Sequence, residues 1–199
     1  MNTKPRLNDS TSQEELSSIG DDLLMQQVSL EDDHAAFDQL YHRHAARMGG
    51  FFLRMLGHDR DKAQDFTQEL FMRLYTSRGF YNPQESFSTW LYSMAYNLCK
   101  NEYRHAQVKE SYEAHCTATG EVGVEEGTEE RIDRSLLKQR MSRAVDSLPV
   151  VQREVFILHY IEELPVARVA ALVQVPEGTV KSRLYTALAR VTEIMKKYK

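Results

Sequence analysis

Residues 106–134, AQVKESYEAHCTATGEVGVEEGTEERIDR, hold few apolar side chains, three glycines and many acids. Such a stretch has little to bury, so no single core can run through it, and the chain on either side must form two separate cores. Both flanks carry apolar residues at three- and four-residue intervals. Neither alternates with period two for long enough to claim a sheet. The expected fold class is therefore all-α: two small helical domains joined by a flexible acidic linker.

The domain boundaries follow from the same pattern. The first 20 residues are crowded with Ser, Thr, Asn, Asp and Glu and read as a disordered acidic tail. Residues 21–105 form the first block. Helical periodicity runs from Asp21 to Leu56, with Leu23, Leu24, Val28, Phe37, Leu40 and Tyr41 on its buried stripe. A helix from about Asp61 to Thr76, a turn-rich loop around Asn82-Pro83 and a helix from about Ser88 to His105 complete it. Residues 135–199 form the second block, where Leu136, Leu137, Met141, Ala144, Val145 and Leu148 mark the apolar side of its first helix. Pro149 and Pro165 each precede a further helix.

The net charge of −4 conceals an uneven distribution: −6 over residues 1–34, +2 over 35–105, −5 over 106–134 and +5 over 135–199. Nucleic-acid binding depends on the local patch, so the acidic total excludes nothing and the basic second block is the place to look. Other classes are disfavoured. No apolar run approaches the roughly 18–20 residues of a membrane span, and the N-terminus lacks the apolar core of a secretory signal, so a cytoplasmic location is expected. In that setting Cys99 and Cys116 are not expected to form a disulfide. His42 and His44 lie on different faces of a helix and read as surface residues rather than ligands. With no nucleophile–base constellation, metal cluster or phosphate loop, neither an enzyme nor a cofactor is expected.

The segment PVARVAALVQVPEGTVKSRLYTALARV has the layout of a helix-turn-helix. A short helix turns Val166, Val169, Ala170 and Val173 inward, and a tight connection leads to a longer helix. There Val180, Leu184, Leu188 and Val191 form an apolar stripe. In such a unit the second helix enters the major groove, led by its N-terminal half. Glu177, Thr179, Lys181, Ser182, Arg183, Tyr185 and Arg190 are the candidates for base edges and phosphates.

From Leu148-Pro149 through Tyr160 to the run GTVKSRL, Gly178–Leu184, this block resembles region 4 of the extracytoplasmic-function (ECF) sigma factors. Members usually carry Gly in the turn where this chain has Gln174, and a residue there must tolerate or avoid positive φ. The first block carries a matching resemblance. DKAQDFTQELFMRLY is similar to the helix with which sigma factors grip the clamp of the largest polymerase subunit. Asp65, Gln68 and Glu69 form one polar face, joined by Met72, while Ala63, Phe66, Leu70 and Leu74 face the core.

FSTWLYSMAYNLCKNEYRH resembles the helix that reads and melts the promoter −10 element. Trp90, Leu91, Met94 and Leu98 fit its inward face; Tyr92, Asn97, Lys100, Asn101 and Arg104 fit the face toward DNA, and Asn97 matches the Asn of the family pattern W-L-x-x-x-A-x-N. The loop Arg78–Phe87 corresponds to the one that captures a flipped base, with Phe80, Tyr81 and Asn82 supplying stacking and edge contacts.

The resemblance implies a sigma factor of the small ECF class. Its implied partners are RNA polymerase core (β′ clamp and β flap), promoter DNA and an anti-sigma factor, with no membrane insertion. Two rival readings fit the residues less well. A free-standing helix-turn-helix regulator, binding its operator as a dimer, leaves the Asp65–Gln68–Glu69 face without a purpose. A sigma mimic that sequesters an anti-sigma factor has no need of a groove-reading face.

Overall fold

A computed structural model describes residues 16–112 and 129–197. All regular structure among them is helical, and the chain divides into two compact units. The first comprises Met1–Phe52 and Asp61–His105, the second Leu53–Arg60 and Ala106–Lys199. No helix of the described residues is long and apolar enough to cross a membrane.

The first unit is built from α1 (Asp21–Glu31), α2 (His34–Met55) as far as Phe52, α3 (Arg60–Thr76) from Asp61, a 3-10 turn (Arg78–Phe80) and α4 (Phe87–Tyr112) as far as His105. The helical periodicity from Asp21 to Leu56 is carried by two helices, α1 and α2. Asp32 turns left-handed, φ 55°, and Asp33 caps the restart by accepting from the amides of Ala35 and Ala36 at 2.8 and 3.2 Å. The core gathers Leu24, Met25, Val28, Phe51, Phe52 and Leu70. Leu23 and Tyr41, expected on the buried stripe, are exposed instead. His44, expected at the surface, is half-buried and its Nε2 lies 2.8 Å from Asp21.

Part of the expected disordered tail is held in place: Arg43 donates to the carbonyls of Leu16, Ser17 and Ile19. Residues 1–15 lie outside the described residues. So does most of the expected linker. Helix α4 runs past His105 to Tyr112, and the next helix begins at Glu129 rather than Ser135. Residues at these margins are helix formers, whereas all three glycines of the stretch fall within 113–128. That interval, with Cys116, is outside the described residues; Cys99 is buried.

The second unit holds α5 (Glu129–Asp146), α6 (Val150–Phe156) continuing as a π-helical turn (Ile157–Ile161), α7 (Val166–Val173) and α8 (Glu177–Lys196). Pro149, Pro165 and Pro176 stand at the N-caps of α6, α7 and α8, where a missing amide hydrogen costs nothing and a fixed φ favours the turn. Helix α8 packs against α5, α6 and α7. Ala144 and Val145 of α5 and Leu148 just beyond it are buried, but Leu136, Leu137 and Met141 are exposed, so the expected apolar side is covered only near its C-terminal end. Glu162 is buried and pairs with Arg54 of the Leu53–Arg60 segment.

One apolar residue of α8 departs from expectation. Leu188 is 43% exposed while Ala187 is fully buried. Each four-residue step drifts about 40° around a helix of 3.6 residues per turn, so Val180, Leu184 and Leu188 walk off the buried face and Ala187 returns to it.

Candidate nucleic-acid and partner surfaces

Helix α3 buries Ala63, Thr67, Leu70, Phe71 and Leu74, and Phe66 is half-buried against the Phe52 ring at 5.7 Å. The opposite face is a shallow open depression of about 340 Å³ lined by Asp65, Gln68, Glu69, Met72, Arg73 and Thr76. All four expected docking residues meet there. Arg73 and Thr76 were not singled out in the sequence, although the i, i+4 series Asp65–Glu69 extends to Arg73 and Gln68–Met72 to Thr76. Glu69 pairs with Arg73. Met72 is 69% exposed, an apolar pad on a polar floor.

The loop after α3 divides two neighbouring aromatics. Phe80 is 87% exposed, while Tyr81 is only 6% exposed, its ring 5.3 Å from that of Trp90 and its hydroxyl donating to the Glu85 carbonyl at 3.0 Å. Tyr81 is therefore a structural residue here, not the DNA-stacking residue expected. Burial, followed by the nearby Asp22 carboxylate, pushes its phenol up to about 12. Asn82 is exposed and its Oδ1 accepts from the Gln84 amide at 3.1 Å, an Asx turn.

On α4, Asn97, Asn101 and Arg104 are exposed and Lys100 half-buried, all on one side of the helix. Tyr92, expected beside them, is 3% exposed and meets Phe51 edge-on at 5.7 Å. Helix α4 is covered over a broad face, since Leu91, Tyr92, Ala95, Tyr96, Leu98 and Cys99 are all buried. Trp90 and Met94, expected inside, are only half-buried. Arg47 lies 5.9 Å from the Tyr92 ring. It is exposed and was not singled out in the sequence, where nothing connects it to α4.

In the second unit, α7 ends on Gln174, which adopts φ 57° and donates its amide to the Ala170 carbonyl; the Val175 amide reaches the same carbonyl at 3.2 Å. The turn thus keeps the left-handed geometry that favours glycine. Beyond it, Glu177, Lys181 and Tyr185 form an exposed stripe, with Tyr185 at 80%. Ser182 is exposed beside them. Thr179, Arg183 and Arg190 lie on the adjoining flank, the first two half-buried. All seven expected residues are thus within reach of the outer face.

Comparison with known proteins gives this arrangement a family. The model described as Sigma-70 region 2 matches residues 40–108, and that described as Sigma-70, region 4 matches residues 138–191. Together they account for more than half of the chain. The chain belongs to the ECF class of the sigma-70 family. This sigma factor is 29% identical to the RNA polymerase sigma-H factor of Pseudomonas aeruginosa over 180 residues, covering 86% of this chain and 92% of that protein. It is likewise 29% identical to the ECF RNA polymerase sigma factor SigW of Bacillus subtilis over 162 residues, 77% of this chain and 85% of that one.

Among solved structures, RpoE from Bartonella quintana, solved in complex with the anti-sigma factor NepR, matches at TM-score 0.65 and 22% identity, covering 80% of this chain and 96% of that one. CnrH, solved in complex with the cytosolic domain of CnrY, matches at TM-score 0.63 and 19% identity, covering 90% and 99%. At these identities the two structures support the fold of the sigma factor. Its helix α1 lies wholly outside the matched family regions.

Proposed function

We propose that this chain is a dissociable subunit that carries RNA polymerase core to a particular set of promoters. The α3 depression docks the core, with Asp65, Gln68 and Glu69 meeting a basic partner surface and Met72 supplying the desolvated centre. The β flap is the second core contact, made by the second unit. Phe80 and Asn82 capture an unstacked base of the −10 element, and Asn97, Lys100, Asn101 and Arg104 track the strand. Glu177–Arg190 of α8 read the −35 duplex, with Lys181, Arg183 and Arg190 available to phosphates.

The observation that carries this reading is the exposed Met72 on a polar floor. A helix-turn-helix repressor has no use for such a pad, whereas a subunit that must find a large partner does. Both solved neighbours were seen with a further protein bound, which supports control of this chain by an anti-sigma factor. The work is that of a transcription factor rather than an enzyme, done in the cytoplasm where the polymerase is.

A titration of labelled chain with purified core polymerase tests the docking face. Met72→Asp and Asp65→Lys are each expected to weaken binding by about tenfold or more, as central interface residues do. Tyr185→Ala, on the other unit, leaves it unchanged. Equal affinity for all variants would contradict the assignment.

A further inference from the structure

The loop between α3 and α4 is held at both ends by one helix. At its entry, Arg78 pairs with Asp32 at 2.9 Å and donates to the Tyr75 carbonyl at 2.9 Å, its guanidinium 4.2 Å from the Tyr75 ring centre. The Tyr75 hydroxyl donates to the same Asp32 carboxylate at 2.8 Å. At its exit, the Phe87 amide donates to Asp22 at 2.5 Å. That amide opens α4 and has no carbonyl of its own helix to meet. Ser86, the residue before it, caps the Thr89 amide instead. Asp22 also stands 3.5 Å from the Tyr81 hydroxyl.

Asp22 lies in the first turn of α1 and Asp32 is its C-cap. The two ends of a single helix, about 16 Å long at 1.5 Å per residue, therefore grip the two ends of one loop. Between the grips Tyr81 is buried, and the exposed residues are Gly79, Phe80 and Asn82–Ser86. Helix α1 is separately secured to the core by Leu24, Met25 and Val28, so the two carboxylates are not what fastens it.

We propose that Asp22 and Asp32 are positioning residues, and that α1 is a strut that presents Phe80 and Asn82 to the −10 strand in a fixed shape. The inference rests on the base-capture reading of this loop. A loop ordered before DNA arrives loses less conformational freedom on binding, so the step that benefits is capture of the exposed base. Asp32 acts through Arg78 on the loop's entry, and Asp22 through the Phe87 amide on its exit. Neither touches DNA.

The test uses chain assembled with core polymerase and a promoter recovered by run-off selection from a fragment library. 2-Aminopurine is placed singly at each non-template −10 position, and its fluorescence reports unstacking. Asp22→Ala and Asp32→Ala are expected to slow the fluorescence change by about tenfold, the effect of losing a charge-assisted hydrogen bond. Asp22→Asn, whose amide oxygen still accepts from Phe87, recovers most of the rate, while core affinity and helix content stay as in wild type.

Phe80→Ala slows the same step. Adding Asp22→Ala to it slows the step less than about twofold more, because residues acting through one another are not additive. Alanine variants that keep the wild-type rate, or effects that multiply with Phe80→Ala, overturn the strut. If wild type gives no change at any −10 position, base capture itself fails and the strut fails with it.

Discussion

Gln174 holds a left-handed conformation at the turn between α7 and α8. A side chain in that region is disfavoured by about 1–2 kcal/mol. With the Gln side chain removed in both variants, Gln174→Gly is expected to be more stable than Gln174→Ala by about 1 kcal/mol, read from urea midpoints. Equal midpoints would show the turn to be unstrained. Tyr81 gives a second residue-level expectation. Its phenol is raised from 10.0 to about 12 by burial and by Asp22. Folding therefore favours the neutral phenol, and its contribution is whole below about pH 10 and lost as pH climbs through about 12. Absorbance at 295 nm is expected to show a late-ionising tyrosine that Tyr81→Phe removes. Ionisation of every tyrosine near pH 10 would contradict the buried placement.

The helices show where sequence periodicity succeeds and where it stops. The exposed face of α3 was legible because Asp65, Gln68 and Glu69 share one side of a helix whose other side is plainly apolar. Tyr81 and Tyr92 were not, and the reasons are physical. Phe80 and Tyr81 are adjacent aromatics in a polar loop, and what turns the second inward is Trp90 together with Asp22, remote in sequence. Tyr92 is buried because α4 is covered over a broader face than an apolar stripe predicts. On α8 the two stripes lead to different outcomes. Arg183→Ala and Arg190→Ala on the flank are expected to weaken holoenzyme binding to all −35 sequences alike and to lower the salt slope by about one each. Glu177→Ala and Tyr185→Ala, on the exposed stripe, change the preference among −35 sequences. Binding isotherms over a salt series and a set of −35 variants separate the two; a sequence-specific loss from Arg190→Ala would contradict the division.

At the scale of the whole molecule, the acidic stretch that first divided the chain contains all three of its glycines within 113–128. Its margins are helical, and composition alone does not tell a charged helix end from a tether. The all-helical character was legible from spacing throughout. The part played by α1 was not, since a carboxylate holding an amide across the fold leaves no periodic trace. On the proposed function, two surfaces, the α3 depression and the outer face of α8, serve one task. Run-off transcription with purified core polymerase and a library of promoter fragments tests it most directly. Transcripts that depend on this chain, and that fall with Asp65→Lys and with Arg183→Ala, are the predicted result. Initiation at the wild-type level with both substitutions, or a chain that supports no promoter yet binds a palindromic duplex as a dimer, would contradict it.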